Sequence, residues 1–468
     1  MPGAADVPRV HATLRETFAS GRTKTLAWRR RQLTAFLRML KEGVPAMSAA
    51  LNTDLHKSAW ESMFAEIGAV IHECKLALKH VEAWMRPETV ASGRPNEGAV
   101  CQIYSDPLGV CLVIGAWNYP IHLTLCPLVG AIAAGNCCVI KVPSQKYSAA
   151  ASRAMAQLVA KYLDSAAIQV IEGDRHATQA VLQPAWDLIF FTGGAYVGKM
   201  VASAAAKHLT PTILELGGKS PTIVGPGADA AVAARRVAWG SYTNSGQTCI
   251  RPDYCLVHES VGDAFVEEMR KAVLRFYGAD PQKTEAFGRI INERAHDRLS
   301  AVLRRDERYV AFGGEMDRND KYVAPTLLDF GEDFEAFRAS AAMEDEIFGP
   351  IFPVYRYRDL DEVTRFINAG EKPLAMYIFS DDDALVETVL QSTSCGGVCV
   401  NEALMHLSNA NLPFGGVGRS GMGSYHGHFS FKSFSHSKSV MKKTFDGVWD
   451  EGRYAAMEKM TRAVASRL

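Results

Sequence analysis

Up to Trp84 the apolar positions recur with a helical period: Leu26, Leu33, Phe36, Leu37 and Leu40 fall on one stripe. The text from there to Gly98 is rich in Pro, Gly and Ser, and Ala99 to Ser105 reads as a strand. At Leu108 the pattern changes. Val110 to Ile114 is a short apolar run closed by Gly115, Leu123 to Ala134 reads as helix, and Cys137 to Lys141 as strand. The alternation continues with a helix at Ala149 to Tyr162 and strands at Ile168 to Ile171 and Leu188 to Phe191. An Ala-rich helix at Lys199 to Lys207 and a strand at Thr212 to Leu216 follow. Strands separated by helices imply βαβ units and a parallel sheet covered on both faces. A second cycle begins after Gly217 and Gly218, with helices at Ala228 to Trp239 and Val261 to Tyr277. Its apolar stretches are Tyr254 to Val257 and Val354 to Tyr357. The fold class is α/β.

The chain has 468 residues, too many for one core, and its 48% hydrophobic and 22% charged residues are ordinary for a globular protein. Lys plus Arg equals Asp plus Glu at 51 each, which leaves no basic surface for nucleic acid. Arg29, Arg30 and Arg31 are read as the solvated face of a helix. The ten cysteines form no Cys-x-x-Cys pair and no zinc knuckle, so no metal site is expected and the thiols read as reduced and mostly buried. Met1 to Val10 lacks the apolar core of a signal peptide. Leu123 to Ile140 carries no formal charge, but Pro127, Gly130, Gly135 and Asn136 favour a buried helix running into a buried strand over a membrane span.

Three short stretches carry candidate chemistry. Cys249 follows a Gly-containing turn in Ser245-Gly-Gln-Thr-Cys-Ile-Arg251, where a thiolate can attack a carbonyl. Taken alone it is one cysteine of ten and reads as core filler. Glu215 ends an apolar strand before two glycines, the place where α/β enzymes set functional groups; partly desolvated, it suits a general base, or else a structural partner. Asn118, in Trp117-Asn-Tyr-Pro120, offers an amide donor for an oxyanion, or a turn before proline.

Trp117-Asn-Tyr-Pro120, Leu214-Glu-Leu-Gly-Gly-Lys-Ser-Pro221 and Asn244-Ser-Gly-Gln-Thr-Cys249, in that order, resemble the aldehyde dehydrogenase superfamily. Phe191-Thr-Gly-Gly-Ala-Tyr-Val-Gly198, Glu346-Ile-Phe-Gly-Pro350 and Leu412-Pro-Phe-Gly-Gly-Val-Gly418 extend the resemblance over nearly the whole chain. Ala205-Ala-Lys-His-Leu-Thr-Pro211 and Gly421-Met-Gly-Ser-Tyr-His-Gly427 are similar to the class 3, fatty and aromatic aldehyde branch. The resemblance implies a Rossmann-type cofactor domain (1–85 and 107–214), an α/β catalytic domain (215–418), an oligomerisation arm with a bridging segment (86–106 and 419–445) and a tail (446–468). It implies oxidation of aldehydes to acids by NAD or NADP through a thioester on Cys249, with Asn118 and the Cys249 amide holding the oxyanion and Glu215 activating water.

The same resemblance implies a dinucleotide site of Trp117, Lys141, Ser144, Gln145, Gly193, Gly194, Val197, Gly198, Gly217, Glu346 and Phe348. At its adenosine end the family commonly shows Lys-Pro-Ser-Glu. Here Lys141-Val-Pro-Ser-Gln145 has an extra residue and an amide for the carboxylate, so tolerance of the NADP phosphate is expected. Tyr119 and Trp239 lie beside the motifs as tunnel lining or as core. A homodimer is implied, with a hairpin at Arg86 to Asp106 and strand contacts across subunits from Phe429 to Lys443. The ending Ser466-Arg467-Leu468 is a variant of the peroxisomal address, with cytosol the alternative. A coenzyme-A-acylating dehydrogenase has less need of Glu215, and a thiol esterase would need a histidine partner that no motif among the 13 histidines supplies.

Overall fold

The structure is a computed structural model that describes residues 2–93, 96–445 and 451–465. The helices that matter for the site are α1 (Gly68–Trp84), α2 (Pro120–Ala134), α3 (Ala195–Ala206), α4 (Ala230–Tyr242) and α5 (Gly427–Ser433). A first sheet holds β1 (Val110–Ile114), β2 (Cys137–Lys141), β3 (Ile168–Ile171), β4 (Leu188–Thr192) and β5 (Thr212–Glu215). A second holds β6 (Pro221–Val224), β7 (Tyr254–His258), β8 (Val310–Phe312), β9 (Thr326–Asp329), β10 (Ile351–Tyr357), β11 (Ala375–Phe379) and β12 (Gly397–Val400). The two-residue β13 (Gly421–Met422) returns to the first sheet, whose order is β13-β5-β4-β1-β2-β3. The second is ordered β8-β9-β10-β7-β6-β11-β12.

All neighbours are parallel except the edge pairs β13 with β5 and β8 with β9. Strands β1, β2 and β4 are buried along their whole length, which is why they read as continuous apolar runs rather than as alternation. In the first sheet the chain runs outward from β1 to β3 and then crosses back to β4 on the other side of β1. The carboxyl ends of β1 and β4 therefore open a crevice at a topological switch point, where open α/β sheets take their ligands.

Helix α2 is buried on every face, and it enters β2 through Gly135, at φ +89°. Among the described residues no helix is long and apolar enough to cross a membrane. Buried Asn136 explains its own polarity: Oδ1 accepts from the Gly109 amide at 2.8 Å and Nδ2 donates to the Phe434 carbonyl at 2.8 Å. One charge departs from expectation. Arg29 is buried, not solvated, and donates to the Ala133 carbonyl at 2.9 Å, the last turn of α2. A cation there satisfies a free helix-end carbonyl, and burial lowers its pKa to about 10. Arg30 and Arg31 are exposed.

The arm is a three-stranded antiparallel sheet, Glu88–Val90, Val100–Pro107 and Ser435–Lys442. Ser435–Lys442 pairs over its full length with Val100–Pro107 of its own chain and is an outer strand of this sheet. All ten cysteines are free thiols. Ser466, Arg467 and Leu468 lie outside the described residues.

Candidate active site

Cys249 follows α4 through a turn in which three successive residues are left-handed: Asn244 (φ 54°), Ser245 (φ 51°) and Gly246 (φ 71°). Two non-glycine residues in that region cost about 1–2 kcal/mol each, so the turn holds only because its surroundings over-determine it. Asn244 Nδ2 donates to the Asn118 carbonyl at 2.9 Å and to the Gln247 carbonyl at 3.1 Å. Gln247 Nε2 donates to Arg289 O at 2.9 Å, and its Oε1 accepts from the Ile291 amide at 2.9 Å. Gly246 is required for space as well, since a Cβ there would stand 2.3 Å from the Gly349 carbonyl.

The loop after β1 is bound to this turn. Asn118 is 4% exposed, and its Nδ2 donates to Gln247 O at 3.0 Å. Behind it, Lys57 Nζ donates to the Asn118 carbonyl at 2.7 Å and to Glu66 Oε1 at 2.6 Å, an ion pair with no solvent access on either side. Glu66 Oε2 accepts from the Ile121 and His122 amides at the start of α2. Sequence periodicity gave no sign of this pair, because its members precede the site and sit on separate elements.

Glu215 ends β5. Its backbone carbonyl accepts from the Gly193 amide, while its carboxyl oxygens are buried without a hydrogen-bond partner among the described residues. Burial pushes its pKa well above the ordinary carboxylate range. Glu346 lies against Gly217, where a Cβ would be 2.1 Å from its Oε2, and burial raises its pKa to about 8. The Cys249 thiol is pushed up to about 12, first by burial, then by the charges of Glu346 and Glu215.

Cys249 lies between two cavities. The first, about 440 Å³, is the switch-point crevice, lined by Trp117, Asn118, Lys141, Ser144, Gly193, Gly194, Val197, Glu215, Gly217, Glu346 and Phe348. Its floor is the N-terminus of α3, where Gly194 has no side-chain cap and only open space in front of its Cα. Thr192 Oγ1, also on the wall, has no partner among the described residues. Free amides at a helix start, orphaned polar atoms and a glycine cradle together fit a pyrophosphate and ribose. The second cavity, about 360 Å³, is mainly apolar and includes Phe64, Tyr119, Trp239, Thr248 and Leu404. Tyr119 is both tunnel and core: its hydroxyl bonds Thr248 Oγ1 at 2.6 Å, and Lys57 Nζ stands 3.8 Å from its ring centroid.

Two residues fall outside the crevice wall. Gln145 sits on an exposed turn between the lining residues Ser144 and Tyr147. Gly198 faces Leu216, whose Cδ2 would be 2.7 Å from an added Cβ, so it sets the approach of α3 to the sheet. Tyr147, Thr178 and Thr192 belong to the wall without having been marked by any motif role.

Two mainly parallel sheets, with a crevice that fits a dinucleotide and an apolar tunnel meeting at one cysteine, fit the class of dinucleotide-dependent oxidoreductases. The profile of the aldehyde dehydrogenase family matches residues 2–440, and the chain belongs to that family. It is 44% identical over 430 residues to the rat protein described as aldehyde dehydrogenase, dimeric NADP-preferring, covering 92% of this chain and 93% of that one. It is also 44% identical to human aldehyde dehydrogenase family 3 member B1, with 92% and 90% covered. Among solved structures, the substrate-bound state of Staphylococcus aureus AldH superposes with a TM-score of 0.91 at 39% identity, covering 94% of each chain.

Proposed function

We propose that the protein oxidises medium- or long-chain aliphatic or aromatic aldehydes to carboxylic acids through a thioester on Cys249. The observation that carries this is the position of Cys249, on the wall of both the dinucleotide-type crevice and the apolar tunnel. Cys249 gives its proton to solvent water as its sulfur bonds the aldehyde carbon, and the Asn118 amide with the Cys249 N–H holds the oxyanion. NAD or NADP in the crevice supplies the hydride acceptor. Trp117, Gly193, Gly194, Val197, Glu346 and Phe348 hold and orient it, with Lys141 and Ser144 toward the adenosine end. Glu215 then takes a proton from the water that breaks the thioester bond and frees the acid. A buried carboxyl with no competing partner suits that role, and it separates this reading from transfer of the acyl group to coenzyme A.

The lining of the crevice supports tolerance of NADP. Among the described residues the only carboxylates lining the crevice are Glu215 and Glu346, and the Lys141 cation, on which Glu172 and Asp174 act from outside the wall, supports acceptance of a ribose phosphate. The name of the 44%-identical rat relative agrees. The chain works as a homodimer, and its last three residues direct it to a peroxisome-type organelle; removing them should return it to the cytosol.

The test is a panel of aldehydes followed by nicotinamide absorbance with each cofactor. Cys249→Ala should abolish turnover. Glu215→Gln should keep a single burst of reduced cofactor and lose steady-state production of acid. Unchanged steady-state rates in Glu215→Gln would refute the assignment of the base.

A further inference from the structure

Three side chains that the oxidation does not use meet in the wall of the apolar tunnel. His122 and Cys126 stand one turn apart on α2, and His426 comes from the residue before α5. All three are buried, and one ligand atom from each lies within 4.8 Å of the other two. Each histidine has its Nδ1 on a backbone carbonyl, His122 on Ala65 at 3.2 Å and His426 on Leu407 at 3.1 Å. That contact selects the Nδ1–H tautomer and leaves the Nε2 lone pair available, the arrangement that orients metal-binding imidazoles. His426 Nε2 is buried and has no partner among the described residues.

We propose that His122, Cys126 and His426 form a binding site for a borderline-soft divalent cation, Zn²⁺, in the tunnel wall. Two imidazole nitrogens and one sulfur exclude Mg²⁺ and Ca²⁺, which take oxygen, and match the three-ligand zinc site with an open fourth position. Zn–N and Zn–S lengths of about 2.0–2.3 Å require the three atoms to close by roughly an ångström, within reach of side-chain rotation in a cavity. Coordination replaces the Cys126 S–H with an S–Zn bond and releases one proton to solvent. Burial already keeps both imidazoles neutral, at about 4 for His122 and about 3 for His426, so neither gives up a proton. The Glu73 carboxyl in the same cavity acts on Cys126 and offsets the charge gained.

The fourth position opens on the tunnel that leads to Cys249, so bound Zn²⁺ obstructs the path of a long aldehyde more than that of a short one. This consequence rests on the aldehyde reading; the site itself does not.

The full-length protein should bind one Zn²⁺ per chain in equilibrium dialysis, with release of one proton. Co²⁺ in its place should give a thiolate charge-transfer band. Cys126→Ala and His426→Ala should each weaken binding by about 100-fold or more, while Cys249→Ser keeps it. Cys126→Ser and His426→Gln, checked for the native circular dichroism spectrum, repeat the test with smaller changes. In the unmodified protein Zn²⁺ should raise the melting temperature, which needs no variant. Loss of the band in Cys249→Ser places the ion on the nucleophile and overturns the site. So does a band that survives in both Cys126 variants, or absence of binding at micromolar Zn²⁺. Binding that leaves the KM of long and short aldehydes equally unchanged overturns the obstruction alone.

Discussion

Burial decides the protonation state of nearly every group around Cys249. The thiol is pushed up to about 12 and Glu346 to about 8, so both are neutral in the resting site at neutral pH, and burial raises Glu215 well above its ordinary range. The steps through hydride transfer, which kcat/KM reports, need the nucleophile ionised, and below its pKa its ionised fraction rises tenfold per pH unit. Log kcat/KM should therefore climb with a slope near one from about pH 6 to about pH 8; a flat profile would sink this reading. The buried histidines work on stability instead. His122 and His426 are held at about 4 and about 3, below their unfolded value, so only the unfolded chain takes up protons as pH falls below about 6.5. The two imidazoles by themselves lose stability as pH falls through this window, while the raised carboxyls of Glu346 and Glu215 act the other way, so the histidine part is read in urea titrations as the difference between the native chain and His426→Gln. A third residue-scale case is the Lys57–Glu66 pair behind Asn118. Lys57→Met strands a buried carboxylate and should cost about 3–5 kcal/mol. Lys57→Met with Glu66→Leu should regain part of that stability without regaining full kcat, because the Asn118 carbonyl still lacks the Lys57 donor and is held by Asn244 alone. Asn118→Ala should lower kcat by about 10²–10³ with the fold intact.

At the level of elements, the glycines divide into those that shape a turn and those that let two elements approach. Gly246→Ala meets the backbone of Gly349 in a left-handed conformation, and neither can yield cheaply. Gly198→Ala meets only the end of the Leu216 side chain. The first should collapse kcat with dinucleotide affinity retained, whereas the second should weaken dinucleotide binding several-fold as α3 shifts. Fluorescence titration with reduced cofactor, set beside steady-state rates, separates the two. The Gly turn before Cys249 was legible in the sequence because glycine announces a positive φ. Asn244 and Ser245 were not, since their left-handed geometry is imposed by partners such as Asn118, far away along the chain. Gln145 stands on an exposed turn between the wall residues Ser144 and Tyr147, and a motif's spacing carries no record of which way such a turn faces. Arg29 likewise looks like surface beside Arg30 and Arg31, and only the end of α2 explains its burial.

Across the whole molecule, the local order of strands and helices was readable because each βαβ unit closes on its neighbour. The first sheet and the crevice at its switch point follow from that order, whereas of the second sheet only β7 and β10 announced themselves as apolar runs. What could not be read are pairings between distant segments, namely β13 against β5 and Ser435–Lys442 against Val100–Pro107. The second pairing completes the arm and leaves Glu88–Val90 and Ser435–Lys442 as its open edges. The arm also exposes apolar side chains on both faces: Val100 is 51% exposed and Met441 54% exposed, and the register places them on opposite sides. A narrow sheet with open edges and apolar faces is unfavourable in water, and a second copy is the covering that the proposed homodimer supplies. Light scattering on the eluting protein should then give twice the chain mass of 51.1 kDa. Val100→Asp combined with Met441→Asp should shift it to the single-chain mass while leaving both cavities, which share no residue with the arm, in place. A dimer that survives both charges would move the interface off the arm.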